Sequence, residues 1–233
     1  MFDTDNILLE AKQWKVVHKI AGISAIMILA FIPIQIIVFS VWPPTFGAAG
    51  WFALFHRNKF AGLVDMDLFL MIDYALTLFI YIALWGALKK TNSVFTTIAL
   101  LFQLASAITY FSSNGAFEML YLSNKYAAAA TEAEKSMYLA SGETIIAIWQ
   151  GTAFTVSYWL GCIATITIAM VMMRSDIFSK LTAWLGLAAG ILMIIPPNFG
   201  IAGLVISFIS LIPTIGWLIL LGRQFLSHRF SAP

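Results

Sequence analysis

The run from residue 62 to residue 90, GLVDMDLFLMIDYALTLFIYIALWGALKK, leaves this chain few choices of fold. It opens on Asp65 and Asp67, carries Asp73 inside an apolar stretch and stops at Lys89-Lys90. A helix rising about 1.5 Å per residue crosses the ~30 Å of bilayer hydrocarbon in about 20 residues, and the run has that length. An ionisable group inside such a helix costs roughly 2.5–3.5 kcal/mol on insertion scales, so it turns to the bundle interior and becomes a candidate for function. The competing reading of Asp73 is a hydrogen bond that only joins helices.

The rest of the chain is of the same kind. It is 61% hydrophobic and 10% charged, with a mean hydropathy of +0.91, against about 45–50% and about 25% for soluble domains. A polytopic membrane protein is the class that absorbs this excess. A formal charge of +2, with basic residues scattered between apolar runs, excludes a nucleic-acid partner. Cys162 is the sole cysteine, which removes an intrachain disulfide and CxxC chemistry. The start of the chain has mixed charge and too long an apolar segment for a cleavable leader, so it is expected to stay as the first span.

The pattern predicts an all-α polytopic bundle of six spans in one domain, residues 1–233: about 18–42, 63–88, 94–112, 145–173, 181–195 and 201–221. Ile7, Leu8, Ala11, Trp14 and Val17 form an amphipathic lead-in, with Trp14 at headgroup depth. Pro33 interrupts span 1, with Gln35 beyond it. The aromatic cluster at residues 51–55 reads as an interfacial helix after span 1. Thr131-x-x-Glu134 is a capping box opening a second one before span 4. Span 3 is expected to continue as helix past Asn114-Gly115 towards Tyr126. With both termini inside, Lys12, Lys15, Lys19, Lys89, Lys90, Arg174, Lys180, Arg223 and Arg229 are cytoplasmic, nine of the 13 basic residues, and Arg57, Lys59, Lys125 and Lys135 face out. Residues 43–55, PPTFGAAGWFALF, echo residues 196–208, PPNFGIAGLVISF, which reads as a duplicated hairpin or a coincidence of apolar sequence.

Polar residues fall in stripes. Gln103, Tyr110, Asn114, Glu118 and Tyr121 share one face of span 3; Glu143, Gln150 and Ser157 share one of span 4; Asp73, Thr77 and Tyr81 share one of span 2. They predict a polar cavity in the outer half of the bundle around Asp73, Asn114, Glu118, Glu143 and Gln150, with Asp67 and Gln35 contributing. The alternative is that these stripes only hydrogen-bond helices together, at about 0.6 kcal/mol per contact. His18 and His228 are placed inside and His56 outside, so no three-histidine metal site forms. No lysine lies within a span, Ser141-Gly142 lacks a nucleophile turn with a histidine, and the ten methionines are scattered. A carboxylate site for a cation or proton, drawing on Asp65, Asp67, Asp73 and Glu118, stays open.

Trp51-Phe52-Ala53-Leu54-Phe55, Asn58, Gly62-Leu63, Asp67, Asp73, Tyr126-Ala127-Ala128-Ala129, Gln150-Gly151-Thr152-Ala153, Phe178-Ser179-Lys180 and Ala183-Trp184-Leu185-Gly186 cover nearly the whole chain. In these the chain resembles a prokaryotic six-span membrane family catalogued only as a domain of unknown function. The resemblance implies a single-domain protein of a bacterial or archaeal cell membrane, and brings no activity, cofactor or site residue. The leading expectation is a small transport or ligand-binding module whose outward acidic cavity takes a cation, proton or small polar ligand. The second is a non-catalytic accessory or sensing subunit, and the third an intramembrane lipid-modifying enzyme. Lipid is the first partner, oligomeric state is left open, and no cofactor is expected.

Overall fold

The structure, a computed structural model, describes residues 2–227, with side chains described from Leu9 on. Met1, residues 228–233 with His228 and Arg229, and the side chains of Asp3, Asp5, Ile7 and Leu8 lie outside the described residues. Every regular element among those described is a helix: α1 (Phe2–Val41), α2 (Gly47–Arg57), α3 (Lys59–Asp65), α4 (Leu68–Leu88), α5 (Ser93–Ser113), α6 (Ala116–Ala128), α7 (Glu132–Trp149), α8 (Thr152–Met173), α9 (Lys180–Leu192) and α10 (Gly200–Phe225).

Five stretches are long and apolar enough to cross a membrane: Leu9–Val41, Leu68–Leu88, Ser93–Ala128, Glu132–Met173 and Gly200–Phe225. They carry the exposed apolar faces such helices need, with Ile201 83% and Ile212 74% exposed on α10. The sixth expected span is α9, whose 13 residues make about 20 Å of helix against ~30 Å of hydrocarbon. Length and composition therefore establish five crossings, where the sequence reading counted six. The lead-in and the first span are one helix, α1, which runs through Pro33 unbroken. The expected single span over residues 63–88 begins instead at Leu68, after a separate short helix.

The chain forms two compact units. The first comprises residues 1–30, 74–108 and 157–233. Its core gathers Ala21, Ile80, Leu84, Ile168, Met172 and Leu221. Here α9 runs antiparallel to α8, since the Cys162 thiol donates to Met193 O at 2.9 Å, Trp159 Nε1 donates to Ile194 O at 3.1 Å, and Gly190 lies on Ile166. α10 then runs back along α9, with Gly186 against Trp217 and the Gln224 amide donating to Ile177 O. Trp14, expected at headgroup depth, sits in an aromatic and basic cluster: the Lys89 ammonium lies 5.1 Å from its ring and 4.9 Å from that of Trp85.

The second unit comprises residues 31–73 and 109–156 and is built around α2. Its aromatics were expected in the headgroup layer, but Trp51, Phe52, Leu54 and Phe55 are buried. α3, α6 and α7 pack on α2. Trp149 meets Trp51 edge-on at 5.7 Å, Tyr126 packs on Phe52 at 5.2 Å, and the Ser123 hydroxyl donates to Phe52 O. The Thr131–Glu134 capping box forms as expected at the start of α7, with both reciprocal bonds present.

The 43–55 and 196–208 echo has a local structural counterpart. Gly47 and Gly200, aligned in the two segments, each open a helix with positive φ (+67° and +71°), a conformation that favours glycine. Gly50 and Gly203, also aligned, each lie so close to the preceding turn that a Cβ would come within 2.2 Å of Thr45 Oγ1 or Pro196 O. The matching glycines thus answer the same two steric demands.

Candidate functional site

Three helices expected to be continuous are broken in the second unit, and a polar residue stands at each break. α3 gives way to α4 at Met66-Asp67, α5 to α6 at Asn114-Gly115, and α7 to α8 at Gln150-Gly151. α4 and α5 have 21 residues each and α8 has 22, about 31–33 Å apiece, so the breaks mark the ends of membrane-length helices. Interrupted backbone at such places has to satisfy its own polar groups. Here Met66 N–H returns to Gly62 O and Asp67 N–H to Val64 O, ending α3, while Asp67 O accepts from Met71 N–H and starts α4. Asp67 makes this sharp turn with φ at +67°, the only positive value at a non-glycine among the described residues.

Side chains tie the breaks together. Asn114 Nδ2 donates to Met66 O at 2.9 Å, and its Oδ1 accepts from Ala116 N–H, capping the start of α6. Trp149 Nε1, from the last residue of α7, donates to Asp67 Oδ2 at 2.9 Å. The Tyr110 hydroxyl of α5 also hydrogen-bonds the Asp67 carboxylate. All three interruptions therefore meet at one aspartate.

Its neighbour two residues back is in a different position. Asp65, the last residue of α3, is 4% exposed, and neither carboxyl oxygen has a hydrogen-bond partner. No cation neutralises the pair: the single ion pair among the described residues joins Lys135 to Glu132 elsewhere. Both aspartates precede the spanning segment that starts at Leu68. Burial, and then the charge of Asp67, pushes the Asp65 carboxyl up to about 7. Burial also raises Asp67, to about 6, against the opposing pull of the Trp149 and Tyr110 donors. The environments separate two chemically identical groups. Asp67, with two donors and at the start of α4, is the better anion; Asp65, at the carbonyl end of α3 with no donor, is where a proton or cation is needed.

The other expected site residues are distributed around this knot. Asp73 lies five residues into α4, half-buried, with Oδ1 buried and without a hydrogen-bond partner. Glu143 Oε1 accepts from Ala48 N–H at 2.7 Å, capping the start of α2 from another helix. Glu118 is exposed on α6 and, with Phe117, Tyr121, Ser141, Thr144 and Ile145, lines a surface groove of about 600 Å³. Gln150 is exposed at the end of α7, and Gln35 is half-buried on α1. The structure brings Asp67 and Asn114 into one hydrogen-bonded group, and Glu118 and Glu143 are occupied elsewhere. The stripes of spans 3 and 4 do not persist as continuous faces, because the helices stop at Asn114 and Gln150.

Sequence reasoning left Asp65, Tyr110 and Trp149 out of the site. The available signal was a polar residue followed by glycine, Asn114-Gly115 and Gln150-Gly151, in the middle of apolar helical runs. Among the described residues no group of three or more His, Cys, Asp or Glu converges as a metal-binding cluster. Compared with models of protein families, with curated proteins and with solved structures, the chain matches none.

Proposed function

We propose that this protein is a membrane-embedded binding or transport module whose site is the junction of the three helix breaks at Asp65 and Asp67, and whose ligand is a cation, a proton or a small polar molecule. One observation carries the reading: three interrupted helices are joined by side chains to an acid pair that has no countercharge. Discontinuous membrane helices whose ends meet at a buried charge are the usual way a bundle builds a polar site without exposing backbone to lipid.

With this reading goes a six-crossing topology in a cell membrane, in which α9 and the turn at residues 193–199 complete the sixth passage and both termini are cytoplasmic. The antiparallel path of α8, α9 and α10 supports it, as does the basic content of the connections after α4 and α8. The likeness to the six-span prokaryotic family is carried forward in the same sense. A specific observation favours the accessory-subunit reading as the alternative: Glu143 and Asn114 are both engaged as helix caps.

Ligand-dependent thermal stabilisation in lipid nanodiscs, screened over inorganic cations, protons and small polar solutes, decides between the two. The binding reading expects a response that is lost in Asp65→Asn while the helical signal is intact. A response equally strong in Asp65→Asn and Asp67→Asn contradicts it.

A further inference from the structure

The carboxyl group of Asp65 has an unusual accounting problem. Ionised, it is a buried anion with no donor to either oxygen. Protonated, it exchanges that deficit for an O–H that finds no acceptor in the described structure. Neither state is complete within the chain, whereas a small positive ion against the two oxygens completes the ionised one.

The surroundings narrow what that ion is. Both oxygens are closed off from solvent and the residue is 4% exposed, so an organic cation has no approach. Zinc and other transition metals lack their donors, because no His or Cys joins the two aspartates in a cluster. Calcium takes about six to eight oxygens, and magnesium keeps a near-octahedral shell with several waters. Two carboxylates beside a helix terminus offer too few ligands for the first and too little room for the second. Carbonyl ends of interrupted helices combined with a carboxylate suit a singly charged ion. The end of α3 at Asp65 is such a place.

No other charge takes the ion's part. The group facing Asp65 is Asp67. Lys59 on α3 itself, His56 and Arg57 on α2, and Glu118, Tyr121 and Lys125 on α6 are exposed, and Tyr126 packs on Phe52. From α5 and α7, Tyr110 and Trp149 reach Asp67. Asp67 therefore supplies a fixed negative charge next to Asp65, held by two donors that do not titrate near neutrality.

We infer that Asp65 is the exchange position of an alkali-cation site, with Asp67 held ionised beside it, so that one alkali ion and one proton compete for the same carboxylate. This deepens, and rests on, the reading of the junction as a binding site. The step is an exchange: the Asp65 carboxylic acid gives up its proton to solvent and its carboxylate takes the alkali ion, with no redox change. The elevated carboxyl of Asp65 agrees with such competition close to neutral pH.

The test uses the full-length protein in nanodiscs, with sodium, potassium or lithium chloride replacing N-methylglucamine chloride at constant ionic strength. At pH 8 an alkali chloride raises the melting temperature, and apparent affinity weakens by about tenfold for each pH unit below neutrality as protons compete. Adding the alkali salt to weakly buffered protein near pH 7 releases up to one proton per chain. Asp65→Asn abolishes both effects. The proton-release measurement on the unmodified chain stands by itself where that variant fails to fold. No proton release and no alkali-dependent stabilisation, with a small polar solute still stabilising the protein through Asp65, overturns the alkali inference and leaves the binding site. Stabilisation by divalent ions alone also overturns it. Absence of every ligand response overturns both.

Discussion

At residue 67 the backbone and the side chain make opposite demands. A positive φ at a side-chain-bearing residue costs about 1–3 kcal/mol where the surroundings enforce it. The carboxylate recovers part of this by accepting from Trp149 Nε1. Asp67→Ala keeps the strain and strands a buried indole N–H, so it destabilises the protein by about 2 kcal/mol in denaturant melts. Asp67→Asn tolerates the same backbone region and keeps an acceptor, so its loss is under about 1 kcal/mol. At Asp65 the prediction concerns pH. Its carboxyl is raised from 3.8 to about 7 in the folded protein. The native state thus binds the proton more tightly than the unfolded chain, and the stability this brings is present in full below pH 4 and lost as pH rises through 7. Melting in N-methylglucamine buffer falls over that interval, and Asp65→Asn flattens the fall. Position in a hydrophobic run made Asp73 the conspicuous acid. Asp65 and Asp67 were harder to pick out, because their burial comes from α2, α6 and α7 folding over them and not from depth in one apolar segment.

Helix identity followed from apolar length and from local chemistry such as the Thr131–Glu134 box, and these elements were legible. The breaks were not. Glycine is common in membrane helices, and an apolar run keeps its period across Asn114-Gly115 and Gln150-Gly151, so nothing local separates a continuous helix from an interrupted one. What decides is tertiary: Asn114 satisfies Met66 O, and Trp149 reaches Asp67 only if α7 stops where it does. Asn114→Ala removes the bond to Met66 O and the cap of α6, and lowers stability by about 1–2 kcal/mol in the same melts. Close packing adds a second test. A Cβ at Gly142 would meet Ala48 Cβ at 2.7 Å and Phe52 at 3.0 Å, where α7 crosses α2. Gly142→Ala therefore costs about 1–3 kcal/mol by forcing the helices apart. Gly200→Ala meets nothing within 4 Å and pays only for its backbone angle, about 1 kcal/mol.

Across the whole molecule, membrane embedding was fixed by composition, while the number of crossings turns on α9. Its 13 residues span about two-thirds of the hydrocarbon, and the turn that follows has to supply the rest. In a Cys162→Ser background, single cysteines at 45, 131 and 198 are expected to react with a membrane-impermeant maleimide on one side of the membrane, and those at 92 and 176 on the other. Position 198 labelling together with 176 would show that α9 does not cross. The division into two units has a functional sense: the second unit contains all three breaks and both paired aspartates, and the first contains α9, most of α10 and the lysine–tryptophan cluster. The most direct check on the acid pair is infrared titration of protonated carboxyl groups in nanodiscs without alkali ions. A carbonyl band that disappears near pH 7 in the unmodified protein and is missing in Asp65→Asn is the expected result; a band that titrates near pH 4, or one that survives in Asp65→Asn unchanged, contradicts the account.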